Sequence, residues 1–213
     1  MEFLKKELLS LVFMTIPLLY LLSIFQGLPE EVPLHWNING EVDNVGSKSM
    51  LFLMPSALPL FIYLLLTFAV KVDPKGNSMD QSVKHRRLKT VLVMLISVLS
   101  IYILNSVQDG ASTNLNYLFF VVGVLYVELG NYLKTIKPNY FLGIRTPWTL
   151  ESEQVWKATH RMGSKWWFVG GLVVMSSSLS FDRSLNFWVF ISVTMVIGII
   201  PIVYSYKLYK DKS

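Results

Sequence analysis

The sequence predicts an all-α fold: a polytopic membrane helix bundle with six transmembrane helices, both termini cytoplasmic, and a short interfacial helix before the fifth span. Six stretches of 16 to 23 residues carry no charge, and a helix needs about 20 apolar residues to cross a bilayer core of roughly 30 Å. Hydrophobic residues make up 53% of the chain, and the mean hydropathy is +0.47. Seventeen of the 19 Lys and Arg residues fall on one side of the implied membrane.

The six uncharged stretches are the predicted spans: Leu8–Pro29, Ser49–Val70, Thr90–Gln108, Gly110–Val127, Trp166–Phe181 and Ser184–Tyr206. We expect the fourth helix to begin nearer Leu115 and to continue to about Leu133. Pro55 and Pro59 predict a kink in the second span, because membrane helices tolerate proline when neighbours satisfy the freed carbonyls. Gly170–Gly171 predicts close helix packing in the fifth span.

The charges between the spans orient the bundle. With the N-terminus inside, the outer segments keep only Lys48 and Arg183 of all the basic residues. This bias follows the positive-inside rule and places both termini in the cytoplasm. It also accounts for the pI near 9.3, so we expect no direct nucleic-acid binding. The inner loop Lys71–Lys89 carries a turn signal at Asp73–Asn77.

No loop is long enough to fold by itself, so residues 1–213 are expected to form a single integral membrane domain. The chain has no cysteine, which excludes disulfides and thiol catalysis. Of its three histidines, His35 lies across the membrane from His85 and His160. Neither HExxH, GxSxG nor a phosphate-binding glycine loop occurs. We therefore expect a protein that is not an enzyme, with no catalytic residues, no metal site and no cofactor.

The outer loop Glu30–Lys48 is the first candidate site. It is acidic, and Asn39–Gly40 predicts a tight turn that needs positive φ. On a structural interpretation the loop is a turn that caps the bundle. On a functional interpretation it is an outward recognition surface for a cationic or amphipathic ligand, because acidic loops concentrate cations. The candidate residues are Pro33, His35, Trp36, Asn37, Gly40, Asp43 and Lys48.

The inner segment Lys137–Leu150 is the second candidate site. Thr149 is predicted to be the N-cap of an amphipathic helix from about Leu150 to Met162, which would lie in the inner interface. The alternative is a docking site for a cytoplasmic partner, or for a lipid phosphate at Arg145. The candidate residues are Asn139, Gly143, Ile144, Arg145, Thr146, Trp148, Trp156, His160 and Arg161.

Glu128 is the third candidate, because a carboxylate inside the membrane is costly and must pair or line a wet cavity. It lies about 9 Å from Lys134 along the helix at 1.5 Å per residue, and Asn131 follows on the same face. The structural interpretation is a pair with Arg145, or a hydrogen bond to Asn105 or Ser106. The functional interpretation is an ion-coupled carboxylate.

Two strings of residues resemble the signatures of the SdpI-type proteins. Pro33-x-His35–Trp36–Asn37-x-x-Gly40-x-x-Asp43, followed by Lys48 and Pro55, resembles the small membrane domain at the front of those proteins. Gly130–Asn131, then Lys137 to Leu150, then Trp156, Thr159–His160–Arg161 and Gly163, resembles their second signature. On this resemblance, residues 1–75 form an N-terminal two-helix portion that holds the outer loop, and residues 115–206 form a C-terminal SdpI-like portion.

The resemblance implies an immunity protein in the cell membrane of a Gram-positive bacterium, which confers resistance to a secreted antimicrobial toxin peptide. The implied partners are that peptide and membrane lipid. The best-known member is also described as a receptor that holds an autorepressor at the membrane when toxin is bound, a role that relatives need not share. The alternative function is a small ion-coupled transporter or exporter that uses Glu128.

Overall fold

The computed structural model describes residues 2–53, 55–72, 83–110 and 114–211. It is mostly helical, as predicted, with one two-stranded antiparallel sheet among these residues. The predicted turn at Asp73–Asn77 lies outside the described residues. The elements are α1 (Glu2–Ile24), β1 (Glu31–Trp36), β2 (Val42–Ser47), α2 (Leu58–Val72), α3 (Val83–Asp109), α4 (Leu115–Leu133), α5 (Pro147–Glu151), α6 (Glu153–Ser180) and α7 (Arg183–Lys210).

Four helices of the described chain are long and apolar enough to cross a membrane, namely α1, α3, α4 and α7. The predicted start of the fourth span near Leu115 is confirmed. The other two predicted spans differ in kind. Helix α2 is apolar but has only 15 residues, and α6 has 28 residues but a polar N-terminal half. Six spans and two cytoplasmic termini therefore stay predictions.

The second predicted span, Ser49–Val70, is not one helix. A 3-10 turn over Lys48–Phe52 precedes α2, which begins only at Leu58. The predicted proline kink is wrong, because Pro55 lies before the helix and Pro59 lies in its first turn. A proline there costs no hydrogen bond, since the first N–H groups of a helix have no partner within it.

The separate interfacial helix is also wrong in its bounds. Helix α6 runs without a break from Glu153 through the fifth predicted span, and only the five-residue α5 precedes it. Thr149 is not an N-cap. Thr146 caps α5 and Ser152 caps α6, because the extended backbone of Ser152 separates the two helices.

The outer loop forms a β-hairpin that the all-α prediction missed. Strands β1 and β2 pair antiparallel with Glu31 opposite Ser47, and the pairing is irregular near His35. The Asn37 side-chain carbonyl accepts hydrogen bonds from the backbone N–H groups of Asn39 (2.8 Å) and Glu41 (3.1 Å). Gly40 has φ of +73°, which confirms the predicted positive-φ turn.

The chain divides into two compact units, the first made of residues 1–66 and 89–118. In it α1 and α3 run parallel, because their polar contacts advance together along both helices. Ser10 bonds Thr90 at 2.8 Å, and the Ser97 hydroxyl donates to the Phe13 carbonyl at 2.7 Å. Beneath the hairpin lies an apolar core of Leu21, Leu28, Val32, Leu51, Leu104 and Val107.

The second unit comprises residues 67–88 and 119–213. Helix α6 lies antiparallel to α4 and α7, and glycines let the backbones approach. A Cβ on Gly171 would lie 2.6 Å from the Val127 nitrogen, and one on Gly130 would lie 2.6 Å from the Phe168 nitrogen. Since Gly170 also faces α7 closely, the predicted close packing at Gly170–Gly171 is confirmed.

Candidate functional site

The outer hairpin keeps its charged side chains at the surface. His35 Nδ1 lies 2.6 Å from Asp43 Oδ1 across the two strands, with the side chains 67% and 42% exposed. Glu31 and Glu41 are exposed as well. This pair orients the imidazole, but at such exposure it adds little to stability. The hairpin therefore presents a negative rim to water.

Lys48 has a structural role rather than a place on that rim. Its amine lies 3.1 Å from a Glu30 carboxylate oxygen, donates to the Leu28 carbonyl at 3.3 Å and sits 5.0 Å from the centre of the Phe25 ring. Its side chain is only 15% exposed. These contacts fasten the end of the hairpin to the end of α1.

An apolar pocket of about 480 Å³ lies under one face of the hairpin, within the first unit. Its walls come from β1, from the segment after β2, and from α2, α3 and the start of α4. The lining residues are Pro33, Leu34, His35, Trp36, Leu51, Leu53, Pro55, Leu58, Leu99, Ser100, Tyr102, Ile103, Ser106, Leu115 and Leu118. Pockets of this size and apolar character are typical of ligand sites.

Trp36 links the pocket to the core. Its ring packs against the apolar core cluster and also lines the pocket. Its indole nitrogen is buried, and it has no hydrogen-bond partner among the residues that the structure describes. A buried donor without a partner is costly, so a ligand that supplies an acceptor there would be favoured.

The inner segment behaves in the opposite way, because its motif residues are mostly buried. Asn139, with 0% exposure, organises the loop. Its amide nitrogen donates to the carbonyls of Lys137 (2.9 Å) and Leu142 (3.0 Å). Its amide oxygen accepts from the backbone N–H groups of Phe141 (2.8 Å) and Leu142 (2.7 Å). The Asn139 side chain thus provides hydrogen-bond partners for the backbone groups of the turn.

His160 anchors the same loop onto α6. Its Nδ1 donates to the Trp156 carbonyl (2.9 Å), which leaves Nε2 as the acceptor for the Ile144 backbone N–H (3.0 Å). Gly143 must be glycine, since its φ is +105° and a Cβ would collide with the imidazole. His160 precedes the fifth predicted span, and burial lowers its pKa from 6.5, although the Trp156 hydrogen bond opposes that shift.

Trp156 and the threonines complete this anchor. The Trp156 indole, fully buried, donates to the Ile136 carbonyl at 2.9 Å and stacks 4.1 Å from the His160 ring. The Thr149 hydroxyl donates to the Ile144 carbonyl at 2.9 Å, and the Thr146 hydroxyl bonds Ser205 of α7 at 3.2 Å. The segment is therefore joined to both α6 and α7.

This burial corrects the predicted docking surface. Asn139, Thr146, Trp156 and His160 are each at most 7% exposed, so a partner cannot reach their side chains. Ile144 packs against the apolar cluster around Trp156, and Trp148 stacks on Tyr206 at 5.0 Å. Among the candidate residues of the inner segment, the polar side chains that are exposed are those of Arg145 and Arg161.

Glu128 is half-buried in α4 and lines a pocket of about 360 Å³ with Arg87, Asn131 and Thr135. The predicted pair with Arg145 is wrong, because the Arg145 guanidinium donates to the Tyr140 carbonyl instead. The other predicted partners are engaged elsewhere. Asn105 accepts from the Tyr20 hydroxyl, and the Ser106 hydroxyl donates to the Tyr102 carbonyl at 3.0 Å.

One buried ion pair escaped the sequence analysis. Lys89 Nζ lies 2.8 Å from Glu7 Oε2, both side chains are at most 6% exposed, and the same amine sits 4.6 Å from the centre of the Tyr63 ring. The signal was present in the sequence, since Glu7 and Lys89 each come directly before an uncharged stretch. Two helices that start on the same side of a membrane bring such residues to one depth.

Sequence comparisons match two separate segments of the chain and nearly its whole length to known proteins. Residues 135–205 match the family model described as the SdpI/YfhL protein family, and residues 12–58 match the one described as a domain of unknown function (DUF1648). The immunity protein SdpI of Bacillus subtilis (strain 168) is 25% identical over 207 residues, which cover 97% of each chain. No solved structure matches the chain.

The apolar helices and these similarities define a class first: the chain is a multi-pass protein of the cell membrane of a Gram-positive bacterium. Within that class the matches support the SdpI-type family, because residues 135–205 match its family model and the similarity to the immunity protein SdpI covers 97% of the chain. The similarity supports an immunity membrane protein, and the family is not one of enzymes.

Proposed function

We propose that the chain protects its cell against a secreted, membrane-active toxin peptide, which it recognises at the outer hairpin. One observation carries this proposal: an apolar pocket of about 480 Å³ lies beneath a hairpin that exposes the acidic side chains of Glu31, Glu41 and Asp43. The similarity to an immunity protein supplies the class of ligand.

The pocket and its rim favour an amphipathic, cationic peptide. The rim of Glu31, Glu41 and Asp43 attracts positive charge, whereas the pocket accepts apolar side chains. Lys48 does not oppose this attraction, since Glu30 already neutralises it. The unpartnered Trp36 indole nitrogen offers a donor to a carbonyl of the bound peptide.

A killing assay tests the proposal. A sensitive host expressing the chain is exposed to the secreted peptides encoded beside its gene, and its survival is compared with that of the same host without the chain. We expect survival to fall when Glu31→Lys and Asp43→Lys reverse the rim. Asp109→Lys is the matched control, because Asp109 is exposed at the end of α3 and lines no part of the pocket. Equal survival with and without the chain would exclude those peptides as its target.

The proposal requires the hairpin outside the cell, with six spans and both termini inside. The absence of native cysteine allows single-cysteine labelling. Ile38→Cys, at a position 49% exposed in the hairpin turn, should react with a membrane-impermeant maleimide in intact cells. Lys207→Cys should react only after permeabilisation. The reverse pattern would show that the hairpin lies inside the cell, where a secreted toxin peptide could not reach it.

A second candidate function is ion-coupled transport through Glu128. The observation that favours it is the pocket that Glu128 lines with the polar side chains of Arg87 and Asn131. In the described part of the chain, the Glu128 carboxylate forms no ion pair. Glu128→Gln should then abolish pH-dependent flux in vesicles. Full protection by Glu128→Gln in the killing assay would instead count against a transport mechanism.

A signalling role is the finer proposal within the first function. A toxin-loaded chain would hold a cytoplasmic repressor, and the exposed cations of the inner motif, Arg145 and Arg161, are its available contacts. The test is capture of a small DNA-binding protein by the full chain, with and without toxin peptide. Capture that does not depend on the peptide would contradict the receptor role.

A further inference from the structure

A groove of about 650 Å³ with three cationic side chains in its lining runs between α6 and α7 in the second unit. It is lined by Gln154, Lys157, Ala158, Arg161, Met162, Lys165 and Tyr204. The three cations follow one another at intervals of four residues, so they form one stripe along α6. All three are exposed, and the proposed toxin site makes no use of them.

The three cations differ in their partners. Lys157 Nζ lies 2.7 Å from a Glu153 carboxylate oxygen one turn earlier, so its charge is already neutralised. Neither Arg161 nor Lys165 has an acidic partner within the part of the chain that the structure describes. The positive charge in the groove is therefore concentrated at these two residues.

The depth of the groove follows from both helices. The uncharged stretch of α6 begins at Trp166, directly after Lys165, and that of α7 ends at Tyr206, two residues beyond Tyr204. At 1.5 Å per residue, Arg161 lies about 6 Å beyond Lys165 and Lys157 about 12 Å beyond it. The headgroup layer is about 5 to 8 Å thick on each side of the hydrocarbon core. On the predicted topology, in which α6 forms the fifth span, Arg161 and Lys165 lie within that layer and Lys157 lies outside it.

We propose that this groove binds the phosphate of an anionic phospholipid, with Arg161 and Lys165 as the charged ligands and the Tyr204 hydroxyl as a neutral donor. A guanidinium can donate two parallel hydrogen bonds to phosphate oxygens, and the ammonium adds a point charge. The exposed Trp166 lies where an interfacial aromatic side chain contacts the start of the acyl chains. The ligand is a membrane lipid rather than free phosphate, because the groove opens at the boundary of the apolar helices.

The test is native mass spectrometry of the full chain titrated with phosphatidylglycerol, and separately with phosphatidylcholine. We expect preferential retention of phosphatidylglycerol, and a loss of affinity of about fivefold for each cation removed, hence on the order of 25-fold in Arg161→Gln/Lys165→Gln. The matched control is Lys157→Gln, which removes one paired cation from the same stripe and should change affinity less than twofold. Arg161→Lys should bind more weakly than the parent but more tightly than Arg161→Gln, because it keeps the charge and loses the bidentate geometry.

Folding is controlled by comparing the thermal unfolding of each variant in phosphatidylcholine, where the variants should match the parent. Excess inorganic phosphate should fail to displace the lipid. Equal affinity for the two lipids, or a loss in Lys157→Gln as large as in the double variant, would overturn the proposal. Displacement by inorganic phosphate, or by an acidic cytoplasmic protein that binds the groove without any lipid, would overturn it in favour of those ligands.

Discussion

The outer hairpin and the inner segment carry the two motifs of the chain, and they use their polar residues in opposite ways. In the hairpin, His35 and Asp43 pair at the surface above an apolar pocket. In the inner segment, Asn139 and His160 are buried, and their hydrogen bonds hold the loop to itself and to α6. The polar groups of the first motif are accessible to a ligand, whereas those of the second form hydrogen bonds that stabilise the fold.

The difference shows that a dense motif need not be a binding surface. A buried polar side chain must be hydrogen-bonded, so each such residue in the inner segment restricts its neighbours to a few types. Gly143 beside the His160 imidazole is the clearest case. In the hairpin, Asn37, Gly40 and Lys48 also have structural roles, but His35 and Asp43 keep exposed polar side chains, which makes the hairpin the better candidate for recognition.

The largest expected effect is at Trp156, and it tests whether the inner motif is part of the scaffold. Trp156→Ala removes the largest fully buried side chain and its hydrogen bond to the Ile136 carbonyl, so we expect a loss of about 3–5 kcal/mol in the free energy of unfolding. Thermal unfolding in detergent, followed by circular dichroism, measures it. Trp148→Ala is the control, since Trp148 is only partly buried and should cost clearly less. Parent-like stability in Trp156→Ala would show that the inner motif is not scaffold.

A second prediction concerns the first unit, in which the buried Glu7–Lys89 ion pair joins helices α1 and α3. Lys89→Met leaves a buried carboxylate without its partner, which we expect to cost about 3–5 kcal/mol. Glu7→Leu/Lys89→Met should recover most of that loss, because replacing both charges with apolar groups is often close to neutral. A double variant as unstable as Lys89→Met would show that the pair itself is not the cause.

A third prediction uses the acidity of His160. Its pKa in the folded chain is lowered from 6.5 by burial, so the unfolded chain binds more protons at mildly acidic pH. Stability should therefore fall as the pH decreases below about 6.5, and this contribution should vanish above that value. We expect the melting temperature of the parent to fall more between pH 7.5 and 5.5 than that of His160→Gln. Equal slopes would remove His160 as the source.

The smallest expected effect on stability is at His35. His35→Gln removes an exposed pair with Asp43, which should change the free energy of unfolding by less than about 1 kcal/mol. Protection in the killing assay should nevertheless fall, because the side chain lines the pocket. A variant with normal stability and undiminished protection would contradict a role of His35 in recognising the toxin peptide.

Much of the fold could be predicted from residue patterns alone. The uncharged stretches located the long helices, and Gly170–Gly171 and Gly40 marked a close packing and a positive-φ turn that the structure confirms. The failures have local causes. The hairpin lacks a clean two-residue alternation, and its ladder is irregular near His35. Thr149 was mistaken for a cap because Thr146 and Ser152 compete with it within six residues.

Sequence by itself determined the membrane class, the family resemblance and the two motif segments, because hydropathy and motif spacing are properties of the linear chain. Only the tertiary structure decided that Lys89 is buried against Glu7, that Glu128 does not pair with Arg145, and that the inner motif faces inward. It also formed the apolar pocket, whose walls come from five separate segments. Burial and pairing depend on which helices meet, and a linear pattern does not specify those partners.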